Sequence, residues 1–182
     1  MKEIYQLKIG LRGIEPEIWR RVLVPSTISL PRVHQVIQAA MGWWDCHLHQ
    51  FVVHGVCYGI PDPDFELDIE NERGVKLSRF LKHAGDQIIY EYDFGDDWEQ
   101  QIKLEEIQPF NTNIALPVCL AGERACPPED CGGIWGYQNL LEIIMDPQHE
   151  EFESMMTWLG DEFGPEKFDI NKVNRLLSRL AR

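Results

Sequence analysis

Three thiols fall close together in "CLAGERACPPEDCGGIWGYQNL", residues 119–140: Cys119, Cys126 and Cys131, with six and then four residues between them. Thiolates are zinc ligands, but this spacing lacks the Cys-x-x-Cys pairs of a zinc ribbon. A fourth ligand would have to come from Cys46, His47 or His49 in "DCHLHQF". On a strand His47 and His49, two apart, project from one face. The competing reading is that the thiols are small buried hydrophobes and the histidines hydrogen-bond in place. A second set is oxygen-rich. "YDFGDDWE" crowds Asp93, Asp96, Asp97 and Glu99 around Trp98 at a hairpin tip. If that tip lies against Glu129 and Asp130, the carboxylates form a site for magnesium or manganese, which would permit metal-assisted phosphoryl chemistry. Asp and Gly are also ordinary turn residues, which explains the tip without a site. Third, Gly132, Gly133 and Gly136 precede a helical pattern, and backbone N–H groups there can bind an anion. No Gly-Lys-Ser/Thr follows, and Glu129 and Asp130 oppose a phosphate. The alternative is that Pro127 and Pro128 stiffen the loop while the acids cap the next turn. No Gly-x-Ser-x-Gly elbow or His-Glu-x-x-His occurs.

The elements that position these groups are legible from periodicity. Tyr5, Leu7, Ile9 and Leu11 alternate with polar residues as a half-buried strand does, and residues 17–24 return as its hairpin partner. Leu30, Val33, Ile37, Ala40 and Met41 recur at helical spacing between Ser29 and Gly42. A third strand is expected over about His49–Tyr58, ending in "GIPDPDFE", and a short helix over 76–84, stopped by Gly85. Ile88, Tyr90, Tyr92 and Phe94 share one face of a strand that turns at "GDD" and returns from Trp98. From residue 136 the pattern is helical, broken at Asp146-Pro147 and Gly160, with Asp169 capping a last helix. The expected fold is α+β: a mixed, mostly antiparallel sheet, of which a β-grasp-like layer is one arrangement, with a covering helix and a C-terminal helical subdomain. Within one domain over 1–182, residues 1–110 form the β-rich core, 111–136 the signature loop and 137–182 the helical part.

Composition narrows the function classes. The net charge is −13, and residues 61–182 carry twenty-six acidic against eleven basic side chains. Such a field disfavours non-specific nucleic-acid binding, which depends on clustered Lys and Arg. The basic tail, Lys172, Arg175, Arg179 and Arg182, suits a helix C-terminus. No stretch approaches the ~20 apolar residues of a membrane span, and the start lacks a signal-peptide pattern, so a cytoplasmic protein is expected. Five cysteines cannot all pair in one chain, which agrees with a reducing compartment.

Together "IEPEIWRRVLVP", "HLHQF", "YDFGDDWEQQI", "CLAGERACPPEDCGGIWGY" and "FDINKVNRLL" resemble the plasmid pRiA4b ORF-3-like family, also met as transposon passenger proteins labelled TnpR. The resemblance covers nearly the whole chain and implies a single α+β domain of mobile-element association. A recombinase is not expected, since the N-terminal strand lacks Tyr-x-Arg-x-Ser. Carried over position by position, the resemblance marks His47, His49, Asp93, Gly95, Asp96, Trp98, Cys119, Pro127, Pro128, Glu129, Asp130, Gly132, Gly133, Gly136 and Tyr137 as site or structural signature.

These features lead to one expectation and two alternatives. The expectation is a binding module whose acidic hairpin and signature loop form a pocket for a protein, peptide or small polar ligand, lined by His47, His49, Asp93, Asp96, Trp98, Glu129, Asp130 and Tyr137. The alternatives are a metal-dependent hydrolase or nuclease using Asp93, Asp96, Glu129 and Asp130, and a zinc-braced structural protein using Cys119, Cys126 and Cys131.

Overall fold

The computed structural model describes residues 3–61, 68–160 and 163–181. Along the chain come β1 (Glu3–Leu11), β2 (Trp19–Pro25), α1 (Leu30–Met41), β3 (His49–Val53), β4 (Val56–Gly59) and β5 (Ile69–Asn71). They are followed by β6 (Gln87–Tyr92), β7 (Trp98–Pro109), β8 (Val118–Glu123), α2 (Gly133–Met145), α3 (Phe152–Leu159) and α4 (Ile170–Ser178). The fold is α+β. All described strands join one mixed sheet in the order β5-β4-β3-β6-β7-β1-β2-β8, antiparallel throughout except for the β4–β5 pair.

Alternation in β1 gives the sheet its two faces. Tyr5, Leu7, Ile9 and Leu11 are buried, whereas Gln6 and Lys8 point outward to Glu105 and Glu17. The buried set continues through Ile88, Tyr90 and Tyr92 of β6 and Trp98, Ile102 and Leu104 of β7, and it shares one core with Val33, Val36, Ile37 and Ala40 of α1. Each such Val, Leu or Ile side chain contributes ~1.5–3 kcal/mol when taken out of water. Gly42 closes α1 in the left-handed region, φ 88°, donating its N–H to the Gln38 carbonyl. Asp169 opens α4 by accepting from the N–H groups of Asn171 and Lys172. The outer edge of β8 is covered by a side chain: the Asn174 amide accepts from Cys119 N at 2.7 Å and donates to Cys119 O at 3.0 Å, as a neighbouring strand would.

Arg20 is the largest buried charge in this frame, 2% exposed. Its guanidinium donates to four carbonyls, those of Trp19, Ala40, Glu123 and Arg124, at 2.7–3.0 Å, and lies 4.4 Å from the Phe168 ring. It ties the end of α1 to β2 and to the entry of the signature loop. Burial lowers its pKa.

Four segments differ from the sequence expectation. Residues 49–58 form two strands rather than one, because His54 and Gly55 adopt φ 51° and 81° and make a tight turn. The helix expected over 76–84 contracts to a 3-10 turn at Leu77–Arg79, where Leu77 and Leu81 both plug the core. The first part of the expected 111–136 loop is strand β8, since β2 offers it an open edge. α2 begins at Gly133, three residues before the helical pattern becomes visible. Most of "GIPDPDFE" and Arg182 of the basic tail lie outside the described residues. No helix among the described residues is long and apolar enough to cross a membrane.

Candidate metal centre

The hairpin tip and the signature loop meet. Gly132 N donates to Asp96 Oδ2 at 3.2 Å, and a Cβ on Gly133 would stand 2.4 Å from the Asp96 carbonyl oxygen, so the two backbones are in direct contact. The segment between α1 and β3 completes the junction through two tryptophans with opposite tasks. Trp43 turns inward, stacks on Tyr92 at 4.9 Å and donates its indole N–H to the Pro127 carbonyl at 2.9 Å. Trp44 turns outward, but its backbone N–H donates to Glu129 Oε1 at 2.8 Å.

His47 is the focus of this junction. Its Nε2 lies 3.1 Å from Asp130 Oδ1, 3.5 Å from Asp93 Oδ2 and 3.9 Å from Glu129 Oε2. The atom is shielded from solvent yet makes no well-directed hydrogen bond to any of the three. Two of the carboxylates are fixed from behind. Asp93 Oδ1 accepts from the N–H groups of Gly95 and Asp96, at 3.0 and 3.3 Å, in an Asx turn, which leaves Oδ2 toward His47. Glu129 Oε1 accepts from Trp44 N and from the Tyr92 hydroxyl at 3.1 Å, which leaves Oε2 toward His47. The Tyr92 hydroxyl in turn accepts from Cys46 N at 3.1 Å. Burial holds the Tyr92 phenol far above its ordinary pKa, so it stays protonated and donates. Asp93 and Asp130 both sit in the left-handed region, φ 55° and 57°, which short acidic residues tolerate better than most.

The ligand atoms of His47, Asp93 and Asp130 lie within 4.8 Å of one another, as do those of Cys46, His47 and Glu129. Contraction of these atoms by ~1 Å would bring an imidazole nitrogen and carboxylate oxygens to the ~2.0–2.2 Å that a first-row divalent ion requires. One nitrogen with several oxygens suits manganese, iron or zinc better than magnesium, which prefers oxygen and water.

The other expected site residues are distributed differently. Asp96 meets the loop through Gly132 but does not join the carboxylates around His47. Trp98 and Tyr137 are core residues, 1% and 0% exposed, lying behind the junction rather than lining it. His47 and His49 do not share a face, because β3 begins only at His49. The Cys119, Cys126 and Cys131 thiols form no common ligand group. Cys119 donates to the Ala121 carbonyl within β8, and burial pushes all three thiols up, Cys131 to about 12, so they stay protonated.

His49 belongs to a second buried cluster that the sequence did not disclose. Its Nε2 faces both Glu72 oxygens at 3.3 Å, and its ring stacks on His34 at 3.6 Å, interplanar angle 8°. His34 Nε2 lies 2.8 Å from Asp45 and its Nδ1 lies 2.7 Å from the Tyr90 hydroxyl. Gln38 donates to that hydroxyl, so Tyr90 gives its own proton to His34 Nδ1, and neutral His34 gives its Nε2 proton to Asp45. Burial, then the neighbouring His49, lowers the His34 pKa. His34 at helical spacing on the apolar face of α1 was the available signal; its partner Tyr90 stands 56 positions away, and Glu72, the partner of the stacked His49, 38. A shallow concavity of about 500 Å3 lined by Arg73, Gly74, Val75, Lys76, Ser78 and Arg79 shares no residue with either cluster.

Comparison with known proteins places the chain in a family. The chain is 38% identical over 180 residues to the uncharacterized protein y4hQ of Sinorhizobium fredii, covering 98% of this chain and 92% of the relative. It is similar to the crystal structure of a protein of unknown function, MM3350 from Methanosarcina mazei Go1, with a TM-score of 0.86 and 40% identity over 94% of this chain and 97% of the other. The profile of the plasmid pRiA4b ORF-3-like proteins matches residues 3–172, and the chain belongs to that family.

Proposed function

We propose that this domain is a binding module whose hairpin–loop junction holds one divalent cation, with His47, Asp93, Glu129 and Asp130 as ligands. One observation carries this reading: two carboxylates have one oxygen anchored by protein donors and the other turned toward the solvent-shielded His47 Nε2. Three carboxylates converging on one imidazole nitrogen repel one another, a cation between them relieves that repulsion, and anchoring of the rear oxygens is how outer-shell groups orient metal ligands. Asp130, with 71% of its side chain exposed, leaves the outer side of the site open to a water or a ligand group. The same openness supports a second reading, a metal-dependent hydrolase, in which the cation would polarise a phosphoryl oxygen. The five free thiols support a reducing compartment and with it the cytoplasm, and the family description, which names a plasmid, supports a mobile-element association.

The test is calorimetric titration of chelator-treated protein with Mn2+ and Zn2+, alongside elemental analysis of untreated protein. About one site per chain is expected, abolished by His47→Ala and weakened ~10–100-fold by Tyr92→Phe, which removes the donor behind Glu129 together with the acceptor for Cys46 N. Binding unchanged in His47→Ala would sink the proposal. Metal-dependent turnover of an activated phosphodiester, lost in Asp93→Asn, would select the hydrolase; binding without turnover would select the module.

A further inference from the structure

The junction is bordered by apolar surface. Trp44 and Trp135 are 84% and 82% exposed, and Leu48 and Phe94 are exposed as well. Each is tethered to the junction by its neighbours. The Trp44 N–H holds Glu129, and Leu48 follows His47 and accepts from Asp93 N. Phe94 follows Asp93, and Trp135 stands two residues after Gly133, whose backbone abuts Asp96. The two tryptophans alone offer on the order of 300–400 Å2 of apolar area. Tryptophan is also the residue type most enriched at binding hot spots. Trp43, the residue before Trp44, is by contrast packed inward.

Charge selects the occupant. No lysine or arginine occurs within residues 33–72, 86–102 or 125–166, the stretches that supply the junction and its border. With Asp96 and the exposed Asp97 beside the proposed ligands, the face stays anionic when a divalent cation is bound. An anionic lipid surface or a nucleic-acid backbone would be repelled. A second copy presenting the same acidic face would meet like charge. A cationic partner gains both the field and the indole faces, since Arg and Lys stack on tryptophan.

We infer that Trp44, Leu48, Phe94 and Trp135 form a docking face for a protein segment in which basic residues alternate with apolar ones, an inference that deepens the reading of this junction as a binding site. The apolar side chains pack on the border while the basic ones reach the carboxylates. Titration with a short amidated peptide alternating Arg and Leu, at physiological salt, tests it. That peptide is expected to bind more than ~10-fold tighter than one alternating Arg and Ser, and a Glu-Leu peptide is expected not to bind. The Trp44→Ala/Trp135→Ala double variant, which keeps the charge and the backbone N–H at position 44 that holds Glu129 and alters only exposed side chains, is expected to lose more than ~10-fold in peptide affinity with Mn2+ binding unchanged. Peptide affinity within ~2-fold of the parent in that variant would overturn the inference, whereas a parent protein that binds the Arg-Leu peptide but not Mn2+ would overturn only the cation proposal. Concentration-dependent dimers of the parent that the double variant abolishes would likewise overturn it, by making a second copy the occupant.

Discussion

Gly133 stands where two backbones touch, and replacing it by alanine separates two physical costs. Its φ of 66° is left-handed, which an L side chain adopts at a cost of ~1–2 kcal/mol. The added Cβ would also stand 2.4 Å from the Asp96 carbonyl oxygen, a backbone atom that cannot rotate away. Displacing it adds an overpacking cost of ~1–3 kcal/mol. The sum, about 2–5 kcal/mol, is a large part of the ~5–15 kcal/mol by which a domain is stable. Gly42 is the matched control: its φ is 88°, and a Cβ there meets nothing within 4 Å. Gly42→Ala therefore carries the conformational cost alone. The gain from restricting the unfolded chain, ~0.4–1 kcal/mol, is common to both variants and cancels. Urea unfolding followed by tryptophan fluorescence should place Gly133→Ala below Gly42→Ala by ~1–3 kcal/mol, and melting should separate them by ~2–12 °C. Gly133→Ala should also lose Mn2+ affinity, because Asp96 and the Asx turn at Asp93 shift with the displaced carbonyl, whereas Gly42→Ala should keep it. Stabilities within ~0.5 kcal/mol of each other would refute the contact as the reason for glycine at 133.

Stability should fall as pH drops below ~6.5. The folded state lowers the His34 pKa, so the unfolded chain takes up the proton first; the contribution is full above the unfolded value and is lost as pH falls toward the folded one. The groups facing His34 are Asp45, Tyr90, Gln38 and stacked His49 with Glu72 behind it, and urea midpoints between pH 7 and pH 5 should flatten in His34→Gln. Asp169→Ala removes the cap of α4 and should cost ~1 kcal/mol, a drop of ~2–4 °C by calorimetry. Arg20→Lys keeps the charge but cannot reach four carbonyls with one ammonium, and ~2–4 kcal/mol of lost stability is expected by urea unfolding. Tyr137→Phe removes a buried hydroxyl with no partner among the described residues and should be neutral or stabilising by up to ~1 kcal/mol, measured the same way.

Regular elements were legible where one residue type repeats at one period. The alternation of β1, the hairpin of β6 and β7, and α1 between Ser29 and Gly42 are local patterns that the tertiary structure left in place. β8 escaped because Val118–Glu123 carries little alternation and becomes a strand only by adding to β2 beneath the Asn174 amide. The acids of the junction were visible as residue types, but the role of His47 depends on where β3 starts, and that offset of two residues sends His47 and His49 to different clusters. Of the two readings offered for the cysteines, packing is the one their surroundings favour, with Cys119 in a strand and Cys126 in the core. No local pattern could join Glu72 to His49 or Asp45 to His34, because those pairings are made by the sheet order and by the entry into β3.

The atoms around His47 come from three stretches of chain separated by ~40 residues each, and closing such loops costs entropy that only the finished sheet repays. The junction is complete only when β6, β7 and the entry to α2 are docked together. On the proposed cation reading, occupancy of the site would serve as a gauge of the whole domain: a destabilising substitution anywhere in the sheet would lower cation affinity once it populates the open chain, without touching a ligand.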